Sequence, residues 1–189
     1  DRAGGLSAPR PTVNGGNMPA ITGRGINQAD LISLLNLIRT NFVGVTAKLD
    51  ADTGVTNTNY GSLNNFTVPA TIGTVGIFTT GAVLDYLKTV RTAFNAVLTK
   101  LDADTLVNLT NYNSANSIAS LIDNLALGSL SQAGNYEGAL VKWLDTYVTN
   151  WNATLTKLDG DSGVTGTNYN ALWSISTTLV DATGCVNKP

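Results

Sequence analysis

The segment Lys48-Leu49-Asp50-Ala51-Asp52-Thr53-Gly54-Val55-Thr56-Asn57-Thr58-Asn59-Tyr60 comes back twice in this chain. It returns as Lys100-Leu101-Asp102-Ala103-Asp104, followed by Val107 and Thr110-Asn111-Tyr112. It returns again as Lys157-Leu158-Asp159-Gly160-Asp161, followed by Gly163-Val164 and Thr167-Asn168-Tyr169. An internal repeat of this period decides architecture, because one such unit cannot bury its own apolar face and must stack on its neighbours. The sequence divides into an arm over 1–26, a single helical-repeat domain over 27–184 and a tail over 185–189. The repeat units span about 27–80, 81–129 and 130–184.

Counting back from the first Asp of each copy aligns the apolar residues. Copy one gives Leu31, Leu34, Leu35, Ile38, Phe42 and Leu49; copy two gives Val83, Tyr86, Leu87, Val90, Phe94, Leu98 and Leu101. Copy three gives Leu140, Trp143, Leu144, Tyr147, Trp151, Leu155 and Leu158. Steps of three and four place each set on one face of an α-helix, roughly 20 residues and about 30 Å long. Thr46 departs from the pattern where the other copies hold Leu98 and Leu155.

Each predicted helix ends on an Asp-x-Asp pair. Carboxylates suit a helix C-terminus poorly, since that end carries partial negative charge, whereas Lys48, Lys100 and Lys157 suit it well. Asp50, Asp102 and Asp159 are therefore expected to accept backbone N–H groups in their own loops, as in Asx-turns. Tyr60, Tyr112 and Tyr169 close the loops, each ring packing over its loop and its hydroxyl meeting backbone or water. Thr58, Thr110 and Thr167 sit where an N-cap belongs. A second helix is expected after them, carrying Tyr60, Leu63 and Phe66; Tyr112, Ala115, Ile118 and Ile122; or Tyr169, Leu172, Ile175 and Leu179. In copy one it should be short, stopped at Thr67-Val68-Pro69, with 70–81 an extended connection or a short strand. The fold class expected is all-α: three tandem helix–Asp loop–helix repeats packed as a helical bundle, with an extended N-terminal arm.

The arm holds Gly4, Gly5, Pro9, Pro11, Gly15, Gly16, Pro19, Gly23 and Gly25 and lacks apolar periodicity. It reads either as a loose terminus or as a strap that lies on a partner, ordered only in the assembly. In the second case Ile21 and Ile26 supply apolar contacts and Arg2, Arg10 and Arg24 polar anchors. A chain that starts at Asp1 fits a processed N-terminus or a fragment equally.

The six loop carboxylates invite a calcium reading, but the EF-hand pattern fails. That loop needs glycine sixth and a bidentate Glu twelfth. Here glycine is fifth, Leu106 replaces it in copy two, and the twelfth residue is Gly61, Asn113 or Asn170. Asp50, Asp52, Asp102, Asp104, Asp159 and Asp161 remain weak candidates for metal, with loop capping the better reading. A catalytic carboxylate pair is normally unique, so triplication also argues for structure over catalysis. No catalytic residue and no cofactor are assigned, and the chain is read as a non-enzyme.

Composition narrows the partners. With 189 residues, 43% hydrophobic and only 13% charged, the chain has about half the usual charge and a surface of neutral polar residues suited to packing against protein. A net charge of −2 argues against nucleic acid, and the absence of histidine removes imidazole chemistry. No apolar run is long enough to span a membrane. Cys185, alone, is a buried or tail thiol or an intermolecular disulfide partner. Phe42, Phe94 and Trp151 share a repeat position on the apolar stripe, and so belong to the core rather than to a ligand platform. The sequons at Asn65, Asn108 and Asn152 are read as chance matches in a chain rich in Asn and Thr.

The Lys-Leu-Asp-x-Asp-x-Gly-Val-x-x-Thr-Asn-Tyr repeat resembles virion-associated structural proteins of tailed bacteriophages, notably marine and cyanobacterial ones. The resemblance covers about 28–180; copy two departs from it at Leu106 and Leu109. It implies a capsid decoration or cement protein, or a tail- or fibre-associated one, located in the virion and binding other particle proteins and copies of itself. The alternative is an extracellular adhesion or ligand-binding module that uses the Asp loops with calcium.

Overall fold

Apolar residues at helical spacing produce three long helices. The computed structural model describes residues 28–57, 59–68, 81–119 and 133–175. The arm, most of the 70–81 connection, Thr58, Ile122, Leu179 and Cys185 lie outside the described residues, as does the side chain of Leu140. The long helices are α1 (Gln28–Ala51), α2 (Gly81–Asp102) and α4 (Ala133–Gly160). Short elements follow each: a 3₁₀ turn (Gly61–Leu63), α3 (Tyr112–Asn116) and α5 (Tyr169–Trp173). Among the described residues every regular element is helical and no strand occurs.

The helical stripes form one core. Leu35, Leu87 and Leu144 are fully buried, as are Leu31, Leu34, Ile38, Val90, Phe94, Leu98, Leu101, Trp143, Tyr147 and Leu155. Phe42, Phe94 and Trp151 each lie eight residues before the first Asp of their copy. The Trp151 ring stands 6.0 Å from that of Phe42 and 5.9 Å from that of Phe94. One level further from the Asp pairs Tyr86 Oη donates to Leu35 O, and at the pairs themselves the loops bond to one another, so the long helices run the same way and in register. Large rings hold the helix axes apart, and the short elements fill the grooves between them. The 3₁₀ turn touches α1 and α2, α3 touches α2 and α4, and α5 touches α4 and α1. The contacts therefore close on themselves around one axis.

The second helices are shorter than their apolar spacing predicts. They end after one turn, at Ser117 and Ser174, whose ψ values of 149° and 146° are extended. Ile118 and Ile175 are buried from an extended backbone, which side-chain amides pair in place of helix carbonyls. Asn95 Oδ1 accepts from Ile118 N at 3.0 Å while Asn95 Nδ2 donates to Ile118 O at 3.1 Å. Asn152 grips Ile175 in the same two-point way, at 2.9 and 2.8 Å. Copy one carries Val43 at this position and keeps only the arginine bond: Arg39 Nε donates to Phe66 O at 3.1 Å, as Arg91 Nε does to Ile118 O at 2.9 Å beside the Asn95 clamp. Thr46, the polar departure on the core stripe, is buried and its hydroxyl lies 2.9 Å from both Phe42 O and Asn64 Oδ1.

Candidate functional site

The Asp loops meet at the C-terminal ends of the three long helices. The first carboxylate of each pair caps the short element of its own copy. Asp50 accepts from Tyr60 N (2.7 Å) and Gly61 N (2.8 Å), and Asp102 from Tyr112 N (2.6 Å) and Asn113 N (2.9 Å). Asp159 accepts from Tyr169 N (2.6 Å) and Asn170 N (2.9 Å). These N–H groups open a helical turn and have no intrahelical acceptor. Thr110 and Thr167, expected as N-caps, do not take that position. The N-cap positions are Asn111 and Asn168, at φ of 70° and 74°, and their side chains make no capping bond. Thr110 and Thr167 instead offer their carbonyls to Lys157 Nζ and Lys48 Nζ.

The second carboxylate does what the sequence did not suggest: it holds the loop of another copy. Asp52 accepts from Thr165 N (3.0 Å) and Gly166 N (2.7 Å), Asp161 from Asn108 N (3.0 Å) and Leu109 N (2.8 Å). Asp104 accepts from Asn57 N (2.6 Å) and the Thr56 hydroxyl (2.7 Å). Each also closes a turn in its own loop, accepting from Gly54 N, Leu106 N or Gly163 N at 2.8, 3.0 and 2.9 Å. Copy one thus holds loop three, copy three holds loop two, and copy two holds loop one. Burial disfavours the charge on Asp52, Asp104 and Asp161, but the accepted hydrogen bonds outweigh it and leave each carboxyl below the usual range.

Lysines and tyrosines repeat this circuit. Lys48 Nζ stands 4.2 Å from the Tyr169 ring centre, Lys157 Nζ 4.2 Å from Tyr112 and Lys100 Nζ 4.6 Å from Tyr60. The tyrosine hydroxyls were expected to meet backbone or water. Instead Tyr112 donates to Asp161 at 3.0 Å and Tyr169 to Asp52 at 3.4 Å. Burial, then the adjacent Asp161 or Asp52 charge, pushes both phenols above the usual tyrosine range. At the rim, Thr53 meets Thr165 (3.3 Å), Thr105 meets Thr56 (3.5 Å) and Asn108 meets Ser162 (3.0 Å).

Glycine permits the closest approaches. A Cβ on Gly54 would fall 1.9 Å from Gly163 O, and one on Gly163 would fall 1.8 Å from Leu106 O. The third equivalent position is Leu106 itself, 46% exposed. The junction between copies one and two differs in two further ways. Asn41 Nδ2 donates to Trp173 O (2.8 Å) and Asn150 Nδ2 to Asn116 O (3.0 Å), but the corresponding residue at this junction is Ala93. The buried Tyr60 hydroxyl has no hydrogen-bond partner among the described residues.

All six loop carboxylates therefore accept backbone N–H groups. No group of three or more Cys, Asp or Glu suited to a metal ion occurs among the described residues, and no described helix is long and apolar enough to cross a membrane. The partner residues assigned to the arm, Arg2, Arg10, Ile21, Arg24 and Ile26, lie outside the described residues. The sequence matches no protein-family model, no curated protein and no solved structure.

Proposed function

We propose that this chain is a non-enzymatic structural protein of a virus particle, built as three tandem helix–Asp loop–helix repeats closed into one bundle, that binds other particle proteins and copies of itself. One observation carries the reading: the residues best able to do chemistry, six carboxylates in three equivalent loops, have backbone donors as partners, and three of them, Asp52, Asp104 and Asp161, tie the copies together. A closed ring of cross-copy contacts gives a rigid body, which a particle component needs. The low charge of the chain, 13%, suits a surface that packs against protein. The resemblance of the Lys-Leu-Asp repeat to phage virion proteins supplies the particle. The calcium-dependent adhesion reading has less support, because the loop carboxylates do not gather into a group of three or more suited to a cation among the described residues.

The test is purification of particles from lysates of the host that carries this gene, followed by mass spectrometry and labelling with an antibody against the chain. Recovery of the chain in washed particles at a fixed copy number is expected. Its confinement to the soluble lysate would sink the proposal. Melting the chain with calcium and with chelator separates the alternative, since an adhesion module should gain stability with the cation.

A further inference from the structure

Loop two departs from both its equivalents at three places, the polar Asn108 for Thr56 and Thr165 and two apolar residues turned to solvent. Leu106 stands where copies one and three have Gly54 and Gly163, and Leu109 where they have Asn57 and Gly166. Leu106 is 46% exposed and Leu109 39% exposed. No core contact calls for them, since Val107 between them is the buried residue of the loop. The backbone beneath is fixed: Leu106 N donates to Asp104 at 3.0 Å and Leu109 N to Asp161 at 2.8 Å. Two apolar side chains on a pre-ordered loop lose little entropy on binding, which favours recognition.

Their surroundings define the occupant. Six loop aspartates outnumber Lys48, Lys100 and Lys157, and three helix C-termini point their partial negative charge to the same end. A fitting ligand is apolar with interleaved positive charge. The chain contains such a segment, Ile21-Thr22-Gly23-Arg24-Gly25-Ile26. It cannot reach the leucines of its own chain. Gln28 lies seven Cα steps beyond Ile21, which span at most about 25 Å. The 24 residues of α1 carry the chain about 36 Å from that point before the Asp loops begin.

We propose that Leu106 and Leu109 form a docking surface for the N-terminal arm of a second copy of this chain, with Ile21 and Ile26 against the leucines and Arg24 facing the carboxylate-rich end. The contact is head-to-tail, so copies joined by it stack in series and leave one arm and one leucine pair unused at the two ends. The inference rests on the reading of the chain as an assembly protein.

Sedimentation velocity of the full chain across a wide concentration range tests it. The wild type should associate reversibly, less so at high salt. Leu106→Gly with Leu109→Asn reproduces the residues of copy one and should weaken association roughly tenfold or more, as loss of a central apolar anchor does. Arg24→Glu should weaken it too, and a synthetic peptide of residues 17–28 in excess should dissociate the assemblies. Circular dichroism should show all variants folded as the wild type. A wild-type chain that stays monomeric overturns the proposal. Association indifferent to the leucine pair overturns it as well. Sensitivity to the leucines alone, with no effect of Arg24→Glu or of the peptide, overturns the arm as occupant. The two readings fail separately: a chain found in particles but monomeric in solution sinks only this inference, and a self-associating chain absent from particles sinks only the proposed function.

Discussion

Asp52 accepts the backbone N–H of Gly166 at 2.7 Å, across 114 residues of chain. This bond closes a circuit, because the loop that contains Asp52 is itself held by Asp104, and the Asp104 loop by Asp161. A linear array of repeats leaves its first and last members with one bare face each. Here the last copy docks on the first, through α5 against α1 and the Asn41–Trp173 bond, so both terminal faces are covered. The contacts that close the ring are the same kind as those between copies two and three, where Asn150 donates to Asn116 O and Asp161 accepts from loop two.

The two aspartates of a pair should therefore differ in weight. Asp161→Ala strands the N–H groups of Asn108, Leu109 and Gly163 and the Tyr112 hydroxyl together. At about 1–3 kcal/mol for each buried donor left unmet, discounted for partial exposure, the loss should be about 3–5 kcal/mol. Asp159→Ala strands two helix-opening donors and should cost about 0.5–2 kcal/mol, the range of a lost cap. Urea denaturation of the two variants compares them directly. Equal losses would mean that the cross-copy bonds do not hold the ring.

Glycines give a paired test. Gly163→Ala forces a methyl group to within 1.8 Å of Leu106 O, which only a shift of backbone can relieve. The expected cost is about 1–3 kcal/mol, as for overpacking elsewhere. Gly160→Ala meets nothing within 4 Å and restores the residue that copies one and two carry at Ala51 and Ala103. It should stabilise by about 0.4–1 kcal/mol by restricting the unfolded chain. Thermal melts should move in opposite directions. A Gly163→Ala melt no lower than that of the wild type would contradict the close approach of loops two and three.

The long helices were legible because a 3.6-residue period shows through any local composition, and Leu35, Leu87 and Leu144 fell where that period put them. The caps of Asp50, Asp102 and Asp159 were legible because their acceptor role is played within about ten residues. The role of Asp52, Asp104 and Asp161 was not, since their decisive partners lie between 47 and 114 residues away. Only the tertiary arrangement puts those donors in reach. The second helices were over-extended in the sequence reading for a related reason. Ile118 and Ile175 follow the stripe by a three-residue step that an extended segment can also satisfy, and Asn95 and Asn152, 23 residues upstream, decide the matter.

Those asparagines invite a site-resolved measurement. Asn152→Ala removes both bonds to Ile175 and leaves its N–H without an acceptor. Stability should fall by about 1–3 kcal/mol. Amide hydrogen exchange at Ile175 should accelerate by more than the global loss accounts for, because the segment frays locally. Exchange at Ile118, held by Asn95, should follow the global change alone. Uniform acceleration at both sites would show that the amide clamp does not order the segment.

The final prediction concerns pH. Asp52, Asp104 and Asp161 are held below their ordinary range in the fold, so the folded state releases their protons more readily than the unfolded chain does. Their contribution is fully present above the unfolded value, about 3.9, and is lost as pH falls through the lower folded values. Tyr60, Tyr112 and Tyr169 shift the other way, chiefly by burial and then by the nearby aspartate charge. A raised phenol keeps its contribution below its unfolded value, about 10, and loses it as pH rises beyond that point. Melting temperature should therefore be flat between about pH 5 and 9, with no histidine to bend it, and fall on both sides. Asp161→Asn should flatten the acid limb and lower the plateau, since an amide keeps one acceptor oxygen but cannot titrate. An acid limb as steep in Asp161→Asn, Asp104→Asn and Asp52→Asn as in the wild type would show that acid unfolding begins elsewhere and that the carboxylate ring is not what the acid breaks.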